Sequence, residues 1–196
     1  MAVYETIEWT NLWIEERGNR EKRRVLLVGD SIVNGARSFV REAVGDGVLV
    51  DAMTTAHALD DPSYLTELSY MLGLCEYDLI HFNNGLHGFH LTVKDYEARY
   101  RETLRFLMER FPREKLVLAL STPITVKADP GTPDPKNRVV EERNRVVKIL
   151  AEEKGLALND LYTPLLGRPE LRSADGYHYL EEGYRLIGGE IARFLA

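Results

Sequence analysis

The chain has little of several features that carry structure or function in other proteins. Its 196 residues include one cysteine, Cys75, which excludes an intramolecular disulfide framework and a metal site built from several cysteines. No apolar run approaches the roughly 20 residues needed to cross a bilayer. Lysine and arginine are not clustered, and the formal net charge is −6. Because phosphate binding needs clustered positive charge, we expect neither a nucleic acid nor a membrane as a partner.

The N-terminal sequence lacks the pattern of a secretory signal, because it is acidic where a signal is basic and then apolar. For the chain as given we expect a cytoplasmic location, although a signal peptide already removed would leave no trace. A composition of 44 % hydrophobic and 29 % charged residues is that of an ordinary globular protein. We expect a single domain over residues 1–196, with residues 1–22 as an extension packed on the core. The residues leave the oligomeric state open.

Short apolar runs alternate with longer amphipathic segments, which is typical of βαβ units around a parallel sheet. The predicted strands are residues 25–28, 48–53, 79–83, 116–120 and 156–159. The predicted helices are residues 32–43, 63–72, 93–110, 138–154 and 180–195. We therefore expect an α/β fold with a five-stranded parallel sheet in the order 2-1-3-4-5.

Two segments fall outside this alternation. Trp9 and Trp13 stand four residues apart with Leu12 beside them, a spacing that predicts a short helix. The two indole rings either pack on the core or form a platform for a sugar ring. Residues 121–137 carry four of the eight prolines without helical periodicity, which predicts a long loop that is either functional or a plain surface excursion.

A candidate nucleophile, Ser31, lies in the sequence "GDS" directly after the first predicted strand. In an open parallel sheet, ligands bind beyond the carboxyl ends of the strands where the strand order reverses, here between strands one and three. Ser31 also begins a predicted helix, where free N–H groups and the helix dipole favour negative charge. A developing oxyanion would be stabilised at this position.

A serine hydroxyl needs a base and a group that orients the base. His178 lies just before the last predicted helix, and Asp175 precedes it by three residues, close enough on a turn to reach its imidazole. The last helix of such a fold packs near the first strand, so this turn can approach Ser31. The sequence thus predicts a Ser31, His178 and Asp175 triad. The alternative makes Ser31 a helix N-cap and His178 a surface residue.

The pattern of the other histidines is more typical of strand and loop residues than of metal ligands. His81 falls in a strand and His87 and His90 in a loop, without the spacing of a zinc motif, so we expect no metal. His57 is expected in a loop near the crevice, as an ordinary solvated histidine rather than a residue that contacts the substrate. No cofactor is expected.

Two blocks of sequence resemble the SGNH, or GDSL-type, hydrolase superfamily. They are "VGDSIVNGA", which contains Ser31, and "DGYH", which contains Asp175 and His178. The resemblance extends from about residue 25 to the C-terminus. It implies a three-layer α/β/α flavodoxin-like fold and serine ester hydrolysis without a cofactor. The implied substrate is a small-molecule or carbohydrate ester, with a short acyl group such as acetyl.

The resemblance leaves other functions open. An acyltransferase, a thioesterase or a lysophospholipase would use the same triad. A binding protein that has lost catalysis on the same fold is the alternative of another class, although such a protein need not retain all three triad residues.

The second block departs from the family pattern. The family places there a glycine whose backbone N–H enters the oxyanion hole, whereas "DAMTTAHALDDP" contains no glycine. Every residue except proline has a backbone N–H. We therefore expect a donor within residues 54–58, with Thr55 and Ala56 as candidates, in addition to the N–H of Ser31.

The third block departs as well. The family pattern is Gly-x-Asn-Asp, and counting from Asp78 places Gly85 at its start and His87 at the position of the usual asparagine. Asn84 is the nearest amide. We expect the side-chain donor of the oxyanion hole to be Asn84 or His87, held by the turn at Gly85.

Overall fold

The computed structural model describes residues 3–195. Within these residues the strands are β1 (Thr10–Trp13), β2 (Arg23–Gly29), β3 (Val48–Thr55), β4 (Leu79–Phe82), β5 (Leu116–Ala119), β6 (Thr125–Val126), β7 (Asp129–Pro133) and β8 (Ala157–Asn159). The α-helices are α1 (Ser31–Val44), α2 (Pro62–Leu72), α3 (Val93–Met108), α4 (Asn137–Lys154) and α5 (Glu181–Ala192). Single 3₁₀ turns cover Arg113–Lys115, Thr163–Leu165 and Pro169–Leu171.

The main sheet has six strands in the order β1-β3-β2-β4-β5-β8. All neighbouring pairs are parallel except β1 and β3. Its five parallel strands are the predicted ones in the predicted order, so the α/β fold class is confirmed. The sixth strand, β1, was not predicted.

The prediction of a helix around Trp9 and Trp13 is wrong, because Thr10–Trp13 forms the edge strand β1. Thr10 lies opposite Thr55 and Trp13 opposite Ala52, in antiparallel register. Threonine and tryptophan suit a half-buried strand, and the unpaired edge of β3 offers hydrogen-bonding groups that a helix would leave without partners. Pairing with a distant strand therefore overrides the local helical spacing.

The proline-rich segment predicted as a loop contains a small second sheet of β6 and β7. This hairpin packs on the segment that carries Asp175: the Thr125 N–H donates to Gly176 O at 2.9 Å and the Ala128 N–H to Ala174 O at 2.7 Å. Gly176 has φ +86, and a Cβ there would lie 2.2 Å from Thr125 O. The β6/β7 hairpin thus holds in place the turn that precedes α5.

The apolar core forms two layers, one on each face of the main sheet. Side chains of α1 and α5 pack on one face, and those of α2, α3 and most of α4 pack on the other. The middle strand β2 is buried along Val25–Val28. None of the helices within residues 3–195 combines the length and apolarity that a membrane-spanning segment requires. The layers give the three-layer α/β/α architecture and leave the carboxyl ends of β2 and β4 side by side.

A buried ion pair fixes the N-terminal extension to the sheet. Arg24 Nη1 donates to both oxygens of Asp51, at 2.9 and 2.8 Å, and the Tyr77 hydroxyl donates to the same carboxylate at 3.2 Å. Arg24 also donates to the backbone carbonyls of Glu15 and Glu16. Since a buried charge is costly without partners, these contacts hold the extension in place.

His81 is a core residue. Its side chain is fully buried in β4, and its Nε2 lies 3.1 Å from the amide nitrogen of Asn159. Burial lowers the pKa of His81 from 6.5 to about 4. The folded state therefore resists protonation of His81, whereas the unfolded chain accepts the proton.

This difference predicts an acid sensitivity of the fold. Between pH 6.5 and 4 the unfolded chain binds the extra proton, so the free energy of unfolding falls by about 3 kcal/mol as the pH is lowered through this range. In His81→Gln the side-chain oxygen can still accept from Asn159 but does not titrate. We expect urea unfolding at several pH values to show a shallower pH dependence in the variant. Equal slopes in the two proteins would contradict the assignment.

Candidate active site

Ser31 is placed by the junction of β2 and α1. Strand β2 ends at Gly29, and Asp30 is the N-cap of α1, with its Oδ1 accepting the Ile32 N–H at 2.8 Å. Ser31 is therefore the first residue of the helix. The alternative interpretation made Ser31 the N-cap of this helix, but Asp30 is the N-cap, so the Ser31 hydroxyl is not used for capping.

The structure brings the three predicted triad residues together. His178 Nε2 lies 2.8 Å from Ser31 Oγ, and His178 Nδ1 lies 2.7 Å from Asp175 Oδ2. A carboxylate can only accept, so Nδ1 carries the proton of the neutral ring and Nε2 is the acceptor for the serine hydroxyl. This is the arrangement in which an imidazole can take a proton from Ser31.

Asp175 is held as a charged group. Partial burial favours its neutral form, but hydrogen bonds from the His178 backbone, the His178 ring and the Tyr177 backbone outweigh burial and lower the pKa of Asp175 well below its usual range. Both backbone N–H groups donate to Oδ1 at 2.8 Å, which leaves Oδ2 for the imidazole. The side chains of Asp175 and His178 are 47 % and 41 % exposed, so the triad is open to solvent.

Asp30 is the functional-site residue that sequence reasoning missed. Its Oδ2 accepts the Leu86 N–H at 2.8 Å, so one carboxylate joins the start of α1 to the turn after β4. A Cβ on Gly85 would lie 1.6 Å from this oxygen, which explains the glycine at this turn. The signal was present in the sequence as an acidic residue before Ser31 and a glycine after the third strand.

Two further side chains hold the same turn. The Ser121 hydroxyl donates to Gly85 O at 3.3 Å. Arg143, on α4 and buried, donates to the backbone carbonyls of His87 and Gly88 and lies 4.6 Å from the ring centroid of Tyr96. Burial lowers the pKa of the Arg143 guanidinium. No local pattern marks Arg143, because its role depends on the packing that brings α4 next to the turn after β4.

The two candidate side-chain donors have different surroundings. Asn84 is buried, and its amide nitrogen lies 3.4 Å from the carbonyl of His57, so it spans the turns after β3 and β4. His87 Nδ1 lies 2.7 Å from a carboxylate oxygen of Glu5, and its ring packs edge-on against Trp9. A neutral imidazole that donates from Nδ1 has no proton on Nε2. The neutral form of His87 with Nδ1 donating to Glu5 therefore presents an acceptor at Nε2, whereas Asn84 carries N–H donors.

The expectation for Ala56 in the second block is wrong. The Ala56 N–H donates to Trp9 O at 3.0 Å, next to β1. The Thr55 hydroxyl contacts the Thr10 hydroxyl at 2.9 Å and Trp9 O at 3.1 Å, and it accepts the His57 N–H. The residue that precedes the unpredicted edge strand thus binds the Ala56 N–H, which cannot also serve an oxyanion.

The histidines considered as metal ligands do not converge. His81 contacts Asn159, His87 contacts Glu5, and His90 Nε2 lies 2.9 Å from Asp60.

A different group gathers in the described residues, where ligand atoms of Glu8, His57 and Asp61 lie within 4.8 Å of one another. Glu8 Oε2 lies 3.8 Å from His57 Nε2, while Asp61 Oδ1 and Glu67 Oε2 lie 3.9 and 3.5 Å from Nδ1. Carboxylates therefore lie beside both ring nitrogens of His57.

The contact between Gly85 and Asp30 predicts the effect of adding one methyl group. Gly85→Ala forces the turn away from Asp30, and we expect the free energy of unfolding to fall by about 1–3 kcal/mol in urea titrations. Gly189→Ala in α5 is the matched control, because a Cβ there meets nothing within 4 Å. A Gly85→Ala protein as stable as the parent would show that the turn does not depend on this close approach.

Comparison with known proteins supports the fold at low sequence identity. No protein-family model matches the chain, and no curated protein matches its sequence. A lipase/acylhydrolase from Enterococcus faecalis is 22 % identical, with 87 % of this chain and 94 % of that chain covered and a TM-score of 0.64. The acetylxylan esterase Axe2 from Geobacillus stearothermophilus is 17 % identical, with 91 % and 97 % covered and a TM-score of 0.67. An aryl esterase from M. smegmatis is also 17 % identical, with 88 % and 98 % covered and a TM-score of 0.66. The chain therefore has the three-layer fold of the SGNH, or GDSL-type, hydrolases.

Proposed function

We propose that the chain is a serine ester hydrolase with Ser31 as nucleophile, His178 as general base and acid, and Asp175 as the group that orients the imidazole. The observation that carries this proposal is the continuous path of contacts from Ser31 Oγ through both ring nitrogens of His178 to Asp175. Each contact is within hydrogen-bonding distance and has the donor and acceptor order that acyl transfer needs.

The proposed reaction has two halves. Ser31 Oγ attacks the ester carbonyl while its proton passes to His178 Nε2, and the carbonyl oxygen becomes an oxyanion. The tetrahedral intermediate then expels the alcohol, which takes the proton from Nε2, and leaves an acyl ester on Ser31. Water attacks this ester with His178 again as base, which releases the acid and restores the serine. The ionised Asp175 stabilises the imidazolium formed in both halves.

The oxyanion is proposed to bind at the start of α1. The Ser31 N–H lies in the first helical turn, where N–H groups lack intrahelical acceptors and the helix dipole favours negative charge. The Asn84 amide is the second proposed donor, because it is neutral and buried and bridges the neighbouring turns. Asp30 supports both positions, since it caps α1 and holds the turn after Asn84.

The proposed substrate is a short-chain acyl ester, such as an acetyl ester of a carbohydrate. The exposed triad leaves room for a bulky alcohol group, and one of the similar structures is an acetylxylan esterase.

Loss of the triad is expected to remove the activity. With p-nitrophenyl acetate, Ser31→Ala should lower kcat by about 10³-fold or more, and Asp175→Asn by a similar factor, because the amide N–H₂ stabilises the wrong imidazole tautomer. Ser69→Ala, on the exposed face of α2, is the control and should keep the parental rate. A fluorophosphonate should add one mass increment at Ser31.

Two results would overturn this proposal. One is turnover of p-nitrophenyl acetate by folded Ser31→Ala at the parental rate. The other is labelling of a different serine by the fluorophosphonate. Transfer of the acyl group to an added sugar in preference to water would instead identify a transferase with the same triad.

The two side-chain donor candidates are separated by a pair of variants. We expect Asn84→Ala to lower kcat by about 10²–10³-fold with little change in KM, the mark of a contact made mainly in the transition state. His87→Ala should have a smaller effect, because Glu5 already binds the donor nitrogen of its neutral ring. Thermal unfolding of both variants controls for loss of the fold. A collapse of kcat confined to His87→Ala would assign the donor to His87.

A further inference from the structure

Trp13 is a large apolar side chain that the edge strand holds at the surface. Its side chain is 43 % exposed. The indole Nε1–H donates to Asn34 Oδ1 at 3.1 Å, and the guanidinium carbon of Arg37 lies 4.7 Å from the ring centroid. Both partners are on α1, so the ring is fixed against the helix that begins with Ser31.

The ring lies beside the nucleophile turn. Asn34 follows Ser31 by three residues, which places both on one face of α1 about 4.5 Å apart along the helix axis. The Thr54 hydroxyl donates to the same oxygen of Asn34 at 3.3 Å, which ties this position to β3 as well. A group bound on Trp13 therefore lies next to the turn that carries Ser31.

The free side of the indole faces solvent. The guanidinium of Arg37 lies over one face of the ring, and the Arg37 side chain is only 19 % exposed and binds Glu15 at 3.2 Å. A ligand would therefore stack on the other face of the ring, which Arg37 does not cover. Leu12 is 38 % exposed, but side chains alternate along a strand, so Leu12 points to the opposite face of β1.

We infer that the outer face of Trp13 is a stacking platform for a sugar ring of the alcohol part of the substrate, an inference that rests on the proposed function. A pyranose ring presents a face of C–H groups, which are attracted to the negative face of an indole. A rigid aromatic side chain binds such a face at little cost in conformational entropy. Arg37 and Asn34 hold the ring, so it need not be ordered when the sugar binds.

The alternative occupant of this surface is a second copy of the chain, paired along the free edge of β1. That edge is only four residues long, so it offers few backbone hydrogen bonds to a second strand. The sugar therefore fits the observations better, and the second copy becomes an outcome of the test.

The test compares a carbohydrate ester with a small aryl ester. In Trp13→Ala, the ratio of kcat/KM for acetylated xylotetraose to kcat/KM for p-nitrophenyl acetate should fall roughly 10-fold, which corresponds to the loss of one stacked ring. Leu12→Ala is the matched control on the other face of β1 and should keep the parental ratio. Sedimentation velocity of both variants and of the parent reports the oligomeric state.

A binding measurement keeps the inference testable without catalysis. The chain has two tryptophans, so Trp9→Phe leaves Trp13 as the single indole reporter. In a protein that carries Trp9→Phe and Ser31→Ala, xylotetraose should change the fluorescence of Trp13 in a saturable manner.

The possible outcomes separate the inference from the proposed function. If the parent protein does not hydrolyse p-nitrophenyl acetate, the proposed function fails, and the fluorescence titration still tests sugar binding. If the parent hydrolyses it but Trp13→Ala keeps the substrate ratio and Trp13 fluorescence does not respond to xylotetraose, the inference fails alone. A change from dimer to monomer in Trp13→Ala would make the surface an interface and would also overturn the inference.

Discussion

The site depends first on the carboxylate of Asp30. One oxygen caps α1, which starts the helix at Ser31, and the other accepts the Leu86 N–H of the turn after β4. The carboxylate is buried, so the loss of either bond would leave a charged oxygen without its partner in the interior. Because the two oxygens are part of one rigid group, Ser31 and the turn across the crevice cannot move independently.

Other polar contacts extend this constraint from segments far away in the sequence. Arg143 and Asn144 on α4 hold the turns after β4 and β5, where Asn144 exchanges two hydrogen bonds with the backbone of Ser121. The β6 and β7 hairpin holds the segment around Gly176, next to Asp175. Asn84, Asp175 and His178 thus lie on loops and Ser31 lies at the start of α1, while the backbone of those loops is bound to helices and to a second sheet. Such support fixes distances that loops alone would not maintain.

The chemistry proposed for the site follows from this fixed geometry. Asp175 remains ionised because backbone N–H groups and the imidazole donate to it, so it can hold the tautomer of His178 that accepts a proton. Ser31 gains a favourable environment for negative charge from the start of α1. Edge strand β1 adds a third element: it leaves Trp13 exposed and places the ring beside α1, and Trp9, the residue before the strand, binds the Ala56 N–H. The proposed charge stabilisation and the proposed sugar contact therefore both involve the first turns of α1.

Local sequence patterns predicted the five parallel strands, because apolar runs and turn residues report on neighbouring positions. Short motifs singled out Ser31, Asp175 and His178, whose side chains the folded chain brings into contact. Only the tertiary structure decided that residues 10–13 form a strand. Thr10 pairs with Thr55, which lies 45 positions away, and pairing with the free edge of β3 outweighs the helical spacing of the two tryptophans. The same holds for three other contacts: the hydrogen bond from the Leu86 N–H to Asp30, the hydrogen bond from the Ala56 N–H to Trp9 O, and the contact between Glu5 and the His87 ring. Each of these depends on which backbone groups other segments leave free, and this is fixed only when the whole chain has packed.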